Sequence, residues 1–199
     1  AIRFSAGDPA ALIDDGRERL LIIRDIEMDR ARAHARADRV ACPADFTPEN
    51  GLSGDRETAT AQATAEAIRQ SGATSVRSDR TLPFSFLAAA RTAGIEVEYD
   101  ADLGVSDRRS KDEEELDALR TSQAATQAAI AMACETIAGA TADADGMLQL
   151  DGDVLTSERM RRMIDVFLLD CDHDNPSSIV AGGPQGGDCH NIGYGALRT

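Results

Sequence analysis

Residues 83–99 read Pro-Phe-Ser-Phe-Leu-Ala-Ala-Ala-Arg-Thr-Ala-Gly-Ile-Glu-Val-Glu-Tyr and predict a helix followed by a strand. Pro83 stands in the first helical turn, where its missing N–H costs little, and Gly94 lies just past the helix end, where glycine is favoured. From Ile95 to Tyr99 apolar and acidic residues alternate, which is typical of a half-buried strand. This stretch therefore predicts a helix–strand unit of an α/β domain.

The preceding sequence predicts the same two kinds of element. Asp55 to Gln70 is rich in Ala, Glu, Gln and Arg and is followed by Gly72, which predicts a helix that ends with a glycine cap. Val76 then marks the centre of a short strand. Two helices and two strands therefore alternate between residues 55 and 99.

The first twenty-odd residues predict the start of the sheet. The run Arg19–Ile23 is apolar after its first residue and predicts a buried strand. Asp14-Asp15-Gly16 is a turn signal, so we expect a hairpin that joins this strand to an alternating strand at Ile2–Phe4. Strands that alternate with helices at this spacing favour an α/β domain with crossover helices, which we place at residues 1–105.

A second domain is expected at residues 106–199. Gly104 and the charged run Asp107–Arg109 interrupt the pattern, and Ser110-Lys111-Asp112-Glu113 has the form of a capping box that starts a long helix. Seven residues then recur at helical spacing up to Gly139, and they predict one amphipathic stripe. Its members are Leu116, Leu119, Gln123, Thr126, Ile130, Cys134 and Ile137.

The last fifty residues predict one more helix and one more strand. Thr156 resembles the N-cap of a helix whose apolar face includes Met160 and Phe167. Ser178–Ala181 is expected to enter a strand, which Gly182-Gly183-Pro184 ends. We expect both ends of the chain to lie inside a longer gene product, since Ala1 is not an initiator Met and residues 191–199 form no polar tail.

Composition excludes several classes of function. The 199 residues carry 21 basic and 35 acidic side chains, a net charge of -14, which repels phosphate backbones and excludes nucleic-acid binding through a broad basic face. The four cysteines are far apart and favour reduced thiols over a disulfide framework. Apolar runs are too short to span a bilayer. We therefore expect a cytoplasmic protein without membrane or nucleic-acid partners.

The glycine-rich and histidine-containing segments offer the candidate sites of the chain. Gly182–Gly187 lacks the Gly-Lys-Ser/Thr of a phosphate loop and favours a tight surface loop. His34 lies in a run of Arg and Ala and is expected to face solvent. Cys171, His173, Cys189 and His190 together could bind zinc, but their spacing fits structural zinc sites poorly.

His190 follows the glycine-rich segment, at a predicted strand end where side chains project into clefts. From the residues alone, a catalytic histidine and an ordinary core or surface histidine are equally good interpretations.

Several segments taken together resemble one family. Asp107–Arg120 is similar to the opening of the catalytic domain in creatinases, Xaa-Pro aminopeptidases and prolidases. Leu155–Glu158 resembles a helix start of that domain, and Ile179–Pro184 followed by Asp188–His190 resembles its glycine- and histidine-containing segment. In the first half, Gly7–Pro9, the Leu20–Ile23 strand and Asp79–Pro83 also resemble the family.

The resemblance implies an N-terminal α/β domain followed by the beginning of a pita-bread α+β catalytic domain. It implies a metal-dependent aminopeptidase or dipeptidase that cleaves peptide bonds preceding proline, commonly as a homodimer. Two divalent ions, such as Mn, Zn or Co, would be held by residues that follow the His190 segment, so no metal ligand is assigned in this chain. Only His190 matches a functional residue of the family, and the resemblance implies that it is the catalytic residue that contacts the substrate carbonyl.

The resemblance leaves two other functions open. A creatinase-like hydrolase would use the same histidine without a metal, and a peptidase-like module without catalysis would bind peptides or proteins. We expect the 199-residue chain by itself to be inactive.

Overall fold

The computed structural model describes residues 2–199, and the chain divides into two compact units. Unit 1 ends at Ser110, and unit 2 runs from Lys111 to Thr199. The expected boundary was residue 105, within the short helix that closes unit 1. No helix in the described residues has both the length and the apolar character that a membrane crossing requires.

Unit 1 is built from short strands and helices that mostly alternate, as the sequence predicts. In chain order they are β1 (Ala11–Asp14), β2 (Arg19–Ile22), α1 (Met28–His34), β3 (Arg39–Ala41), α2 (Arg56–Ser71), β4 (Ser75–Ser78), α3 (Phe84–Thr92), β5 (Glu96–Tyr99) and α4 (Val105–Arg109). Short 3-10 turns occur at Asp25–Glu27 and Pro43–Phe46.

The strands form two separate sheets. One has the order β1-β2-β3, in which β2 pairs antiparallel with β1 and parallel with β3. The other is the parallel pair β4-β5. β2 is buried on both faces, because Leu20 and Ile22 pack toward α2 while Leu21 and Ile23 pack toward α1. Burial on both faces explains its continuous apolar sequence.

The hairpin at the start of the chain differs from the prediction. β2 pairs with Ala11–Asp14 across the turn at residues 15–18, whereas Ile2–Phe4 forms no strand. The turn lies where the sequence predicts it. The strand directly before it reaches β2 through a much shorter loop than residues 2–4 would need. The Asp15 carboxylate stabilises this turn by accepting the backbone N–H groups of Arg17 and Glu18 at 2.8 and 2.7 Å.

α2 begins and ends as predicted. The Asp55 carboxylate accepts the Thr58 N–H at 2.9 Å, and Gly72 ends the helix in the left-handed region at φ 81°. Its buried face consists mostly of alanines, so the sheet approaches the helix closely. Ala65 and Ile68 of α2 pack with Ala90 and Ile95, which lie in α3 and just before β5.

A charged side chain on α2 forms a local network. Glu66 accepts two hydrogen bonds from Arg69, at 2.8 and 2.7 Å, and one from Gln70 at 2.8 Å. These donors favour the ionised carboxylate and hold the pKa of Glu66 at about 2.

Glu66→Gln is therefore expected to destabilise the chain at neutral pH but not at strongly acidic pH. A carboxylate with a lowered pKa contributes stability above its unfolded pKa of about 4.3 and loses it as the pH falls through the folded value. The urea midpoints of wild type and variant should differ by a constant amount above about pH 5 and converge as the pH approaches about 2. Exposed Glu96→Gln is the control, and an equal, pH-independent effect of both variants would contradict the prediction.

Unit 2 contains two long helices and a small sheet. Its elements are α5 (Glu113–Gly139), β6 (Thr141–Ala142), β7 (Leu148–Leu150), β8 (Asp153–Val154), α6 (Ser157–Asp170) and a 3-10 turn at Gly183–Gly187. The three strands form an antiparallel sheet of order β6-β7-β8. The core consists of Leu148, Leu155, Met160 and Leu197, with Ala133 and Met163 packed against it.

The long helix exists, but its predicted start and stripe need correction. Asp112, not Ser110, is the N-cap, and it forms the capping box with Glu115 at 3.0 and 3.1 Å. The predicted stripe is largely exposed, with Ile130 58% exposed, whereas Ala129 is buried. Ala129 is buried and Ala133 packs against the core, which allows close approach of the helix, whereas Leu119 and Ile137 are also exposed.

α6 begins at the predicted cap, since the Thr156 hydroxyl accepts the Arg159 N–H at 3.1 Å. Met160 is completely buried in the core, as the apolar face predicts. The predicted strand at Ser178–Ala181 is absent; only Val180 makes a backbone bond there, from its N–H to the Ile192 carbonyl at 3.1 Å. A glycine-rich 3-10 turn follows directly, so the backbone pairing at Val180 does not extend into a β-strand.

Candidate functional site

His190 lies on an exposed loop, residues 188–195, which we call the His190 loop. The loop follows the 3-10 turn Gly183–Gly187 and not a strand end, so the expected route into a cleft is absent. The Asp188 carboxylate accepts the His190 N–H at 3.0 Å, and the Asn191 N–H bonds to the Asp188 carbonyl at 3.1 Å. These bonds fix the backbone of the histidine while its imidazole remains exposed.

Gln185 connects the His190 loop to the preceding 3-10 turn. Its side-chain amide donates to the Tyr194 carbonyl at 3.0 Å, and its side-chain oxygen accepts the Tyr194 N–H at 2.8 Å. The Asn191 side chain accepts the Gly193 N–H at 2.9 Å. The side-chain amides of Gln185 and Asn191 thus bond backbone groups of the loop that would otherwise pair with a neighbouring strand.

α6 holds the other side of the same loop. Nη1 of Arg161 donates to the carbonyls of Ile192 and Gly193, both at 2.6 Å. The Glu158 carboxylate accepts the Gly195 N–H at 3.1 and 3.2 Å. Its own backbone N–H and that of Gly195 lower the pKa of Glu158, so the carboxylate is ionised at neutral pH.

Gly193 lies where the loop touches the segment around Val180. It is buried, with φ 81°, and a Cβ at this position would overlap the Val180 carbonyl and the Ala181 backbone. Only glycine combines this left-handed backbone with the close approach. The His190 loop is therefore held by backbone contact as well as by side chains.

Cys171, His173, Cys189 and His190 do not form a metal-binding group. Within residues 2–199 no three His, Cys, Asp or Glu side chains are grouped so that they could hold a metal ion. Cys171 and Cys189 are exposed free thiols. His173 is half-buried, and its Nδ1 lies 2.6 Å from the Cys171 carbonyl at the end of α6. His34 is exposed, as expected.

Three residues that support the His190 loop were not identified as site residues from the sequence. Glu158 belongs to the Leu155–Glu158 motif, so that motif was a signal for it. Gln185 lies in the glycine-rich segment as its one large polar residue. Nothing in the sequence identifies Arg161 as a residue that holds the loop, because it bonds backbone carbonyls, which every residue has.

Arg161→Ala is expected to loosen the His190 loop and to lower the free energy of unfolding by about 1.5–3 kcal/mol, the usual range for hydrogen bonds from a charged donor. Amide hydrogen exchange of Gly193 and Tyr194 should accelerate, because Arg161 bonds the carbonyls of Ile192 and Gly193. The matched control is Arg162→Ala, at an exposed position of the same helix. Equal exchange in both variants would show that Arg161 does not hold the loop.

Comparison with known proteins finds similarity in structure only. No family model and no curated protein matches the sequence. The structure is similar to an Xaa-Pro dipeptidase from Bacillus anthracis, with a TM-score of 0.66 and 13% identity over 98% of this chain and 49% of that one. It is also similar to the prolidase from Pyrococcus horikoshii OT3, with a TM-score of 0.67 and 13% identity over 94% of this chain and 46% of that one.

An X-Pro aminopeptidase from Thermotoga maritima MSB8 gives a TM-score of 0.63 at 13% identity over 95% of this chain and 48% of that chain. The chain spans about half the length of these solved structures. The mixed α/β fold expected from the motifs is confirmed. Over nearly its whole length, this chain has the fold found in these prolidase and Xaa-Pro aminopeptidase structures.

Proposed function

We propose that the complete protein is an Xaa-Pro aminopeptidase or dipeptidase, which hydrolyses the peptide bond that precedes proline. The observation that carries this proposal is the similarity in fold to Xaa-Pro peptidases over 94–98% of the chain. The order of the family-like segments from Gly7 to His190 supports it independently. In this proposal unit 2 begins a pita-bread catalytic domain.

His190 is the catalytic residue of the proposal. Attack on a peptide carbonyl places negative charge on its oxygen, and an imidazole N–H directed at that oxygen stabilises the transition state more than the substrate. Such a donor is effective only if its position is fixed before the reaction. The bonds from Arg161, Glu158 and Gln185 to the His190 loop support this role, since they restrain the backbone next to the imidazole.

The two divalent ions of the proposed enzyme, Mn, Zn or Co, do not fit residues 2–199. A two-metal site needs several carboxylate or imidazole ligands within one cluster, and the described residues contain no group of three. The roles that we assign to this chain therefore involve no metal. They consist of donation by His190 and restraint of its loop.

We expect the 199-residue chain alone to retain no stoichiometric Mn, Zn or Co after dialysis and to leave an Ala-Pro dipeptide uncleaved. The reason is the missing ligand cluster within residues 2–199. Metal analysis of the dialysed chain and an amino-group assay of product would test this. Retention of one or more ions per chain, or any cleavage above that of the boiled chain, would contradict it.

The proposal also includes a peptide substrate, a homodimer and a cytoplasmic location. Four free cysteines support a reducing compartment, and the net charge of -14 argues against nucleic-acid partners. Sedimentation of the complete protein would measure its oligomeric state.

Assays of the complete protein with three substrates would separate the functions left open. Cleavage of Ala-Pro but not Ala-Ala, lost with EDTA and restored by Mn, would support the peptidase. Hydrolysis of creatine that is insensitive to EDTA would support a metal-independent creatinase-like enzyme. No turnover of any substrate, together with binding of a Pro-containing peptide, would support a binding module and overturn the proposed function.

A further inference from the structure

Gln185 contacts the His190 loop in the way that a residue of a neighbouring strand would. Its side-chain nitrogen donates to the Tyr194 carbonyl at 3.0 Å, and its side-chain oxygen accepts the Tyr194 N–H at 2.8 Å. In an antiparallel sheet, the two residues of a bonded pair exchange the same two bonds. One half-buried side chain therefore satisfies both backbone groups of Tyr194 and closes residues 186–193 into a loop that contains His190.

Two routes connect His190 to Gln185. On the N-terminal side, the His190 N–H bonds to the Asp188 carboxylate at 3.0 Å, and the Asp188 N–H bonds to the Gln185 carbonyl at 3.2 Å. On the C-terminal side, the chain runs from His190 to Tyr194, which the Gln185 side chain holds. The backbone and the side chain of one residue thus restrain His190 from both directions.

The segment that Gln185 contacts is fixed to α6. Arg161 donates to the backbone carbonyl that precedes Tyr194 at 2.6 Å. The Glu158 carboxylate accepts the backbone N–H that follows Tyr194 at 3.1 and 3.2 Å. Tyr194 therefore lies between two residues that α6 holds, and its bonds with Gln185 extend this restraint to the half of the loop that contains His190.

A glutamine side chain suits this contact because its amide carries a donor and an acceptor in one plane. An ionised glutamate has two acceptors and no donor, so one of its oxygens would face the Tyr194 carbonyl oxygen. A methionine of similar size has no donor and only a weak acceptor. The glycine-rich segment Gly182–Gly187 has no other large polar side chain that could make the two bonds.

We propose that Gln185 is a positioning residue, which sets the place of the His190 imidazole by bonding both backbone groups of Tyr194. This inference rests on the proposed function, in which His190 donates to the oxygen of the substrate carbonyl. A displaced donor stabilises the transition state less but leaves substrate binding almost unchanged. Gln185 thus controls kcat and not KM.

The test is Gln185→Glu in the complete protein, assayed with Ala-Pro. At neutral pH the new carboxylate lacks the donor and repels the Tyr194 carbonyl, so kcat should fall by about tenfold to a hundredfold with little change in KM. The carbonyl oxygen disfavours the charged form and raises the pKa of the new carboxyl above its usual value of about 4.3. A protonated carboxyl has one O–H donor and one acceptor, so the ratio of variant to wild-type kcat should return toward one as the pH falls through this pKa.

Two further variants separate the two bonds from other effects. Gln185→Met makes neither bond and cannot titrate, so its kcat should be reduced equally at every pH. Gln127→Glu introduces the same charge at an exposed position of α5 and should behave as wild type. Asp188, Glu158 and Arg161 are present in all of these proteins, so the ratio to wild type removes their influence on the pH profile.

A measurement without turnover tests the contact itself. In the 199-residue chain, amide exchange of Tyr194 should accelerate by about tenfold or more in Gln185→Met, because its N–H loses its acceptor. Exchange of buried Leu168 in α6 should not change, which would show that the variant is folded. If Gln185→Met does not fold, Gln185→Glu retains the test, because recovery of kcat at acid pH requires a folded protein.

Normal kcat of Gln185→Glu at neutral pH, in a protein whose wild type cleaves Ala-Pro, would overturn this inference and leave the proposed function standing. A loss that appears in KM, or one that is equal at every pH, would do the same. Unchanged exchange of Tyr194 in Gln185→Met would show that the contact does not hold the loop. If the wild-type complete protein cleaved no Xaa-Pro substrate, the proposed function would be wrong, and the role of Gln185 with it.

Discussion

His190→Ala is expected to lower kcat of the complete protein on an Xaa-Pro dipeptide by about a hundredfold to a thousandfold, with little change in KM. In the proposed function the imidazole N–H stabilises charge that develops only in the transition state, so the variant should bind the substrate almost as well. Metal content should not change, because His190 lies in no group of three potential ligands among residues 2–199. Steady-state kinetics and metal analysis of the purified variant measure these quantities.

The other two histidines provide the controls. His34 is exposed at the end of α1, and His34→Ala should leave kcat unchanged. His173 is half-buried near the Cys171 carbonyl, so His173→Ala should change stability slightly and turnover little. If His190→Ala retained normal turnover, or if His173→Ala were equally damaging, the assignment of His190 as the catalytic residue would be wrong.

Elements whose limits depend on local chemistry were predicted well from the sequence. α2 begins at the Asp55 cap and ends at Gly72 because a carboxylate satisfies a free N–H at one end and glycine adopts a positive φ at the other. The Thr156 cap of α6 is a similar case. Such signals involve residues that are only a few positions apart, so no knowledge of the tertiary structure is needed to interpret them.

Elements whose identity depends on distant partners were predicted poorly. Ile2–Phe4 has a strand-like pattern, but β1 occupies the pairing edge of β2 that it would need. Ser178–Ala181 is apolar after its first residue, yet only Val180 makes a backbone bond to the His190 loop. The stripe on α5 was assigned to the wrong face, because periodicity does not indicate that Ala129, and not Ile130, packs inward.

In the candidate site, too, local features could be predicted from the sequence and distant contacts could not. His190 could be singled out because its position in a family-like segment is visible in the sequence. The side chains that hold its loop could not be singled out from the sequence. Arg161 bonds two backbone carbonyls about thirty residues away, and any residue type could supply these acceptors. A candidate catalytic side chain is therefore easier to predict than the framework that holds it.

Gly193→Ala is expected to destabilise unit 2 by about 3 kcal/mol or more and to disorder the His190 loop. Two costs combine at this position. Alanine is strained at φ 81°, and its Cβ would overlap the Val180 carbonyl, which is backbone and cannot rotate away. The loop would have to move, and the bonds from Arg161 to the Ile192 and Gly193 carbonyls would lengthen.

Gly195→Ala separates these two costs. Gly195 has a similar φ of 77°, but nothing lies within 4 Å of the Cβ that alanine would add, so only the left-handed backbone is penalised, by about 1–2 kcal/mol. Urea unfolding monitored by Tyr194 fluorescence in a Tyr99→Phe background would report on unit 2. Equal losses in the two variants would mean that the contact with Val180 does not fix the loop. A larger loss for Gly193→Ala, with faster amide exchange at residues 191–194, would show that backbone contact holds His190 in place.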